Sequence, residues 1–417
     1  MVRTTRRNAL KLLGVGVAAG ALGMPWVRNA QASGPYKIGF LGSLSGPAES
    51  LGAPMLEGVK IAVEDINAAG GTNGRQLELV VRDDKAKPDV GTAAARELVG
   101  EGCSMLLGVV SSAVALAVSA VLQQEDAVLI TCAAHSMRLT KEDFNRNYFR
   151  ITDNPFMRQR AQAHVMAERF GEVTTWGGVI PDHEYGRSTW ECFDNGLKTY
   201  YPELAKAEPT ISKPVMTTYG GSDYRNFVAS AMRDPAVGFF VSAYGGDAIT
   251  MYQQALPYGF FKKKHPIVDA ANEFIVARAM KENFPEMWIG SHWYSGAFTG
   301  NPMNDELARK MTERTGIKFL DGFIGEGYSA VRAYAEALKT ADSGKTADVI
   351  KALEGLTFDS PTGKRTIRAE DHQTIKPVVL YRVRGASNAD GIEVVEHRVI
   401  DGATVIDPAT PGVKLTF

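Results

Sequence analysis

From Tyr36 onward, short apolar runs alternate with longer stretches whose apolar residues return every three or four positions. The first such unit is the clearest. Ile38, Phe40 and Leu41 make a strand, which breaks in the turn Gly42-Ser43-Leu44-Ser45-Gly46-Pro47. Met55, Val59, Ala62, Val63 and Ile66 then keep helical spacing up to a Gly70-Gly71 stop. The same reading predicts strands at Leu77–Val81, Met105–Val109, Val128–Thr131, Tyr148–Ile151, Thr175–Ile180, Val215–Thr218, Val237–Ser242, Pro266–Asp269 and Met287–Tyr294. Helices are predicted between them, at Asp89–Glu101, Ser112–Glu125, Phe156–Phe170, Tyr185–Tyr200, Tyr224–Met232, Ala248–Pro257 and Phe274–Glu282. Three more helices follow, at Asp305–Thr315, Phe323–Lys339 and Thr346–Leu356, and the tail returns to strand at Val378–Val383 and Ile392–Ile400. Strict β–α alternation makes parallel sheets covered on both faces. In such sheets, small ligands sit outside the carboxyl ends of the strands.

Residues 1–32 have a different pattern. Arg6-Arg7 precedes an apolar run, Leu12 to Val27, which ends in Ala30-Gln31-Ala32. This is the layout of an export signal with a small-residue cleavage site, and the paired arginines resemble the twin-arginine type. The mature chain is then expected to start at Ser33 and to be periplasmic. No Cys stands beside the cleavage site, which argues against a lipid anchor. Removing the leader's five basic residues takes the formal charge from −1 to −6, unsuited to nucleic acid or an anionic membrane. The remaining residues, about 385, exceed one ordinary core and suggest two domains. The alternation divides near Asn154 into two similar runs. Extended segments at Thr152–Pro155, Ser295–Gly296 and Phe358–Pro361 read as crossovers between them. Cys103, Cys132 and Cys192 are odd in number, and the first two fall at opposite ends of strands expected to be parallel, so no disulfide is expected.

Several motifs, in order, span the mature chain. They are GSLSGP (42–47) with EDINAAGG (64–71), Leu107-Gly108-Val109-Val110-Ser111-Ser112, and Val128-Leu129-Ile130-Thr131 with Arg138-Leu139-Thr140. Asp182-His183-Glu184-Tyr185-Gly186, Gly327-Tyr328-Ser329-Ala330 and Ser360-Pro361-Thr362-Gly363 complete the set. On these the chain resembles the type I periplasmic substrate-binding proteins, in their branched-chain amino-acid-binding branch. The resemblance implies an α/β fold of two Rossmann-like lobes with parallel sheets, three hinge crossovers and a ligand cleft between the lobes. The N-terminal lobe is expected at 33–153 plus 296–358, the C-terminal lobe at 154–295 plus 359–417. It also implies a monomer that delivers a small-molecule ligand to an inner-membrane ABC permease, without a cofactor.

Carried onto this chain, the resemblance places the ligand carboxylate at Ser111 and Ser112. A helix N-terminus there offers free N–H groups and a favourable dipole. It adds a backbone group at Ala133, His135 where the family has Thr, and Tyr185 and Tyr244 from the second lobe. Phe323 matches an aromatic that covers the ligand. Two positions depart from the amino-acid binders. Asn272, or Ala271 beside it, stands where those proteins carry an acid for the ligand's ammonium, with Asp269 and Glu273 as neighbours that could shift into place. Leu51 stands where they often carry an aromatic. An amino acid and an aromatic or other small organic acid or amide are therefore both candidate ligands.

Enzyme readings find little support. G-x-G-x-x-G is missing at the first strand–helix turn, and G-x-S-x-G is missing throughout. The seven histidines form no H-x-x-x-H pair and the cysteines no C-x-x-C, so a metal site is not expected. A sensory binding protein that presents its closed form to a receptor would have the same sequence pattern.

Overall fold

A computed structural model describes residues 34–270, 272–341 and 343–416. The export leader expected at 1–32, and Ala271, lie outside the described residues. The first sheet is formed by β1 (Tyr36–Gly42), β2 (Leu77–Asp83), β3 (Met105–Gly108), β4 (Val128–Thr131) and β5 (Tyr148–Arg150). Its order is β2-β1-β3-β4-β5, and every pairing is parallel. The order reverses between β1 and β3, and the crevice at such a switch point is where ligands bind in open α/β sheets.

The second sheet starts with β6 (Thr175–Pro181), β7 (Thr210–Ile211), β8 (Val215–Thr217), β9 (Gly238–Val241), β10 (Ile267–Asp269) and β11 (Met287–Ser291), again all parallel. The chain then forms a small antiparallel piece, β12 (Thr357–Ser360), β13 (Gly363–Ile367) and β14 (Thr374–Ile375). It closes with β15 (Val378–Gly385) and β16 (Ile392–Ile400). These last two join the second sheet beside β11 and run antiparallel, so the sheet is mixed at that edge.

The expected α/β architecture with parallel-sheet cores is observed. The structure differs from the sequence reading near Phe358. The stretch Phe358–Pro361, read as a crossover, is the first half of a hairpin. Pro361 and Thr362 make its turn, and Gly363 at φ +90° starts the return strand. Phe358 and Ile367 still pack into the apolar cluster of the first sheet, whereas Val378 packs behind the second.

Buried charge lines the crossovers. Arg158 grips Asp153 with two bonds of 2.6 and 2.7 Å. Lys376 lies 3.4 Å from Asp153 and 3.1 Å from Glu326, and Arg365 reaches Glu326 at 2.5 Å. All five side chains are fully buried. Cys103, Cys132 and Cys192 are buried and free.

Candidate ligand-binding site

At the end of β3 the backbone turns sharply through Gly108 (φ +118°) and Val109 (φ +54°). A Cβ on Gly108 would come within 2.3 Å of the Leu41 carbonyl oxygen, so only glycine fits. Val109 is β-branched and holds a left-handed conformation that such residues rarely adopt. Its N–H donates to Leu41 O at 2.7 Å, which fixes the bend. The bend aims Val110, Ser111 and Ser112 along the carboxyl edge of the sheet, where the helix Ser112–Ser119 begins.

The two serines have different tasks. Ser111 is the N-cap, its Oγ accepting a long bond from the Val114 N–H at 3.5 Å. Ser112 Oγ instead accepts from the backbone N–H groups of His135 and Ser136, at 3.1 and 3.0 Å. Its acceptor capacity is thus used to hold the loop after β4, while its own hydrogen remains for a ligand. Ser112→Ala leaves two buried N–H groups unmet. It is expected to lower stability by about 1–3 kcal/mol and to weaken ligand binding as the loop relaxes. Thermal unfolding and titration check this, and an unaltered affinity would remove Ser112 from the site.

The second sheet contributes aromatic rings at its own carboxyl edge. Tyr185 lies in the first turn of the helix Glu184–Tyr200 after β6, and Tyr244 caps the helix Gly245–Ala255 after β9. Their rings meet edge to face at 5.2 Å and 85°, a favourable aromatic geometry. His183 and Tyr219 pack around Tyr244 at 5.8 and 5.4 Å. Burial pushes the His183 imidazole down to about 4.

Two more imidazoles, His135 and His292, face each other with ring centroids 5.1 Å apart. His292 also packs on Phe323 at 4.6 Å. Burial is the first cause holding both histidines well below their usual range, and the Arg158 guanidinium is the second. Glu273 supports His292 from behind. Its Oε1 accepts from the His292 backbone N–H at 3.0 Å and lies 2.6 Å from Nδ1, while its Oε2 accepts from Gly322 N–H. Burial pushes the Glu273 carboxyl up to about 8.

Leu51, Val110, Ser111, Ser112, Ala133, His135, Tyr185, Tyr244, His292 and Phe323 together line one cavity, with about 370 Å³ of empty space, open solvent at its mouth included. Eight of the nine residues expected from the sequence thus meet there. Asn272 does not. Its amide donates to Ala243 O at 2.6 Å and to Asp269 at 2.7 Å, and its oxygen accepts from Gly245 N–H at 3.0 Å. It braces the turn that carries Tyr244, with both amide N–H groups already donated to the protein. His292 is the addition. It is the first residue beyond β11, an edge position of the same kind as Tyr185 and Tyr244, which the strand predicted at Met287–Tyr294 hides because it runs past His292.

Neither nearby acid reaches the cavity. Asp269 accepts from Tyr252 OH, from Asn272 Nδ2 and from the Asn272 backbone N–H. Glu273 is held by His292 and Gly322. Among the described residues, no carboxylate lines the cavity.

The two sides are closed over this space. Ser136 Oγ donates to Glu184 Oε1 at 2.6 Å, Met137 N–H to Ser188 Oγ at 3.2 Å, and Gly246 N–H to Pro47 O at 3.5 Å. A Cβ on Gly245 would come within 2.6 Å of Pro47 O, so a side chain there would hold the two sides apart.

Residues 35–390 match the model of the family described as periplasmic binding protein. The leucine-, isoleucine-, valine-, threonine- and alanine-binding protein of Pseudomonas aeruginosa is 26% identical over 353 residues, 80% of this chain and 86% of that protein. The Leu/Ile/Val-binding protein of Escherichia coli is 30% identical over 358 residues, 86% of this chain and 93% of that one. Among solved structures, an ABC-transporter solute-binding protein of R. palustris in complex with benzoate has the same fold. It superposes with a TM-score of 0.75 over 92% of this chain and 100% of that one, at 18% identity. Among the described residues no helix is long and apolar enough to cross a membrane.

Proposed function

Because the chain belongs to the periplasmic binding protein family, we propose that it captures a small carboxylic acid with an apolar or aromatic body for an ABC importer. Proteins of this family bind solutes, and this chain is a binding protein rather than an enzyme. The observation that carries the ligand assignment is the lining of the cavity. It offers a helix N-terminus and a serine hydroxyl for an anion, aromatic and aliphatic walls for a body, and no carboxylate for an ammonium among the described residues. An ammonium enclosed without a charge partner pays a desolvation penalty of several kcal/mol.

In this reading the carboxylate docks first on the Ser112 helix and the Ala133 loop, and Tyr185 and Tyr244 then close over it, shifting the open–closed equilibrium. The lobes hinge on the crossovers near Asp153, His292 and Lys376. A twin-arginine-type leader exports the chain, which works as a periplasmic monomer with an inner-membrane permease. The names of the relatives favour a second reading, a branched-chain amino acid. A benzoate complex of the same fold is in keeping with the first.

A thermal-shift screen of the mature protein against benzoate, benzamide and L-leucine tests the assignment. Benzoate at one hundred times its Kd is expected to add about 2.7 kcal/mol of stability, with smaller or no shifts from the other two. Stabilisation by leucine alone would overturn the assignment.

A further inference from the structure

Both ring nitrogens of His135 and the Nε2 of His292 are buried and have no hydrogen-bond partner within the protein. Both side chains line the cavity and are about 1% exposed. A neutral imidazole carries one N–H and one bare acceptor nitrogen, whichever tautomer it adopts. His135 therefore brings at least one unmet acceptor to the cavity. A carboxylate cannot satisfy it, because an ionised carboxylate only accepts. Leaving a buried acceptor unmet is costly, so the pocket favours a molecule that supplies a donor there.

We propose that the ligand carries, besides its carboxylate, a neutral donor in the form of a hydroxyl on its body, received by His135 with His292 beside it. This rests on the carboxylic-acid reading above and narrows it to hydroxylated acids. The donor is neutral because of the surrounding charge. Arg158, Arg150 and Lys376 all disfavour positive charge on the His135 ring, opposed by Asp153 alone among its main neighbours. An ammonium in the same place meets the same field. A hydroxyl does not, and it can also accept, so it suits either tautomer of His292.

Calorimetric titration of the mature protein with benzoate, the three hydroxybenzoates and the three matching methoxybenzoates tests this. At least one hydroxybenzoate is expected to bind tenfold or more tightly than both benzoate and its methoxy counterpart, which accepts but cannot donate. His135→Phe should erase that ratio, and His135→Gln, which keeps an acceptor, should retain part of it. Benzoate binding as tightly as every hydroxybenzoate would overturn the proposal and leave the carboxylic-acid reading standing. Tight benzoate binding with uptake of about one proton, measured in buffers of different ionisation enthalpy, would also overturn it, since His135 would then be an imidazolium. Binding of L-leucine with none of the acids would overturn both.

Discussion

Glu326→Ala is expected to destabilise the protein by about 3–5 kcal/mol, the cost of leaving buried charge uncompensated. Glu326 lies on the helix Gly322–Thr340 and is fully buried. Arg365 reaches its two oxygens at 2.5 and 3.2 Å, and Lys376 stands 3.1 Å away. Removing the carboxylate leaves Lys376 with Asp153, at 3.4 Å. Arg365 keeps only neutral acceptors, the Ile151 carbonyl and the hydroxyls of Ser360 and Thr362. The double variant Glu326→Met with Arg365→Met should recover most of the loss, because both charges then leave the interior together. Urea unfolding read at its midpoint checks this. A midpoint unchanged in the single variant would mean that water reaches these groups.

The second large effect is on binding. Tyr185→Ala and Tyr244→Ala are each expected to weaken the ligand by about 2 kcal/mol, roughly thirtyfold in Kd. Both rings line the cavity, and each also packs on the other at 5.2 Å. Because they touch, the double variant should cost less than the sum of the two. Tyr185→Phe keeps the ring and should bind close to the native protein. Tyr244→Phe gives up a 3.5 Å contact with His183 and a hydroxyl contact with Tyr219, and should behave similarly. Titration with benzoate reads all of these, and a native Kd in Tyr185→Ala would place the ligand elsewhere.

What the sequence makes legible comes from periodicity for the fold and from the family resemblance for the site. Short continuous apolar runs such as Val128–Thr131, rich in β-branched residues and flanked by helical stretches, read as strands buried on both faces, and β4 is one. The family resemblance points to Ser112, Tyr185 and Tyr244, and in the structure each stands at a helix start after a strand, at the edge where α/β sheets bind ligands. Asn272 stands at an edge of the same kind, but its amide is taken up by Asp269, Ala243 and Gly245. No pattern in one chain shows which edge residues are spent on bracing. His292 falls inside the strand predicted at Met287–Tyr294, and only the structure ends that strand one residue before it. Its partner Glu273 is nineteen residues earlier in the chain and reaches it only through the fold. The left-handed turn at Val109 was equally hidden, since a β-branched residue is the last that local preference would place there. Ser360-Pro361-Thr362-Gly363 is turn chemistry, and a turn inside a hairpin has the same sequence as one between lobes.

The clamp proposed for a carboxylic acid holds no carboxylate to pair with an ammonium among the described residues. The most direct measurement compares each amino acid with its deaminated counterpart, L-leucine with 4-methylpentanoate and L-phenylalanine with 3-phenylpropanoate, by calorimetry on the mature protein. Each pair differs only in the ammonium group. The deaminated acid is expected to bind at least about tenfold more tightly, a difference of 1.4 kcal/mol. Tighter binding of either amino acid than of its counterpart would contradict the account.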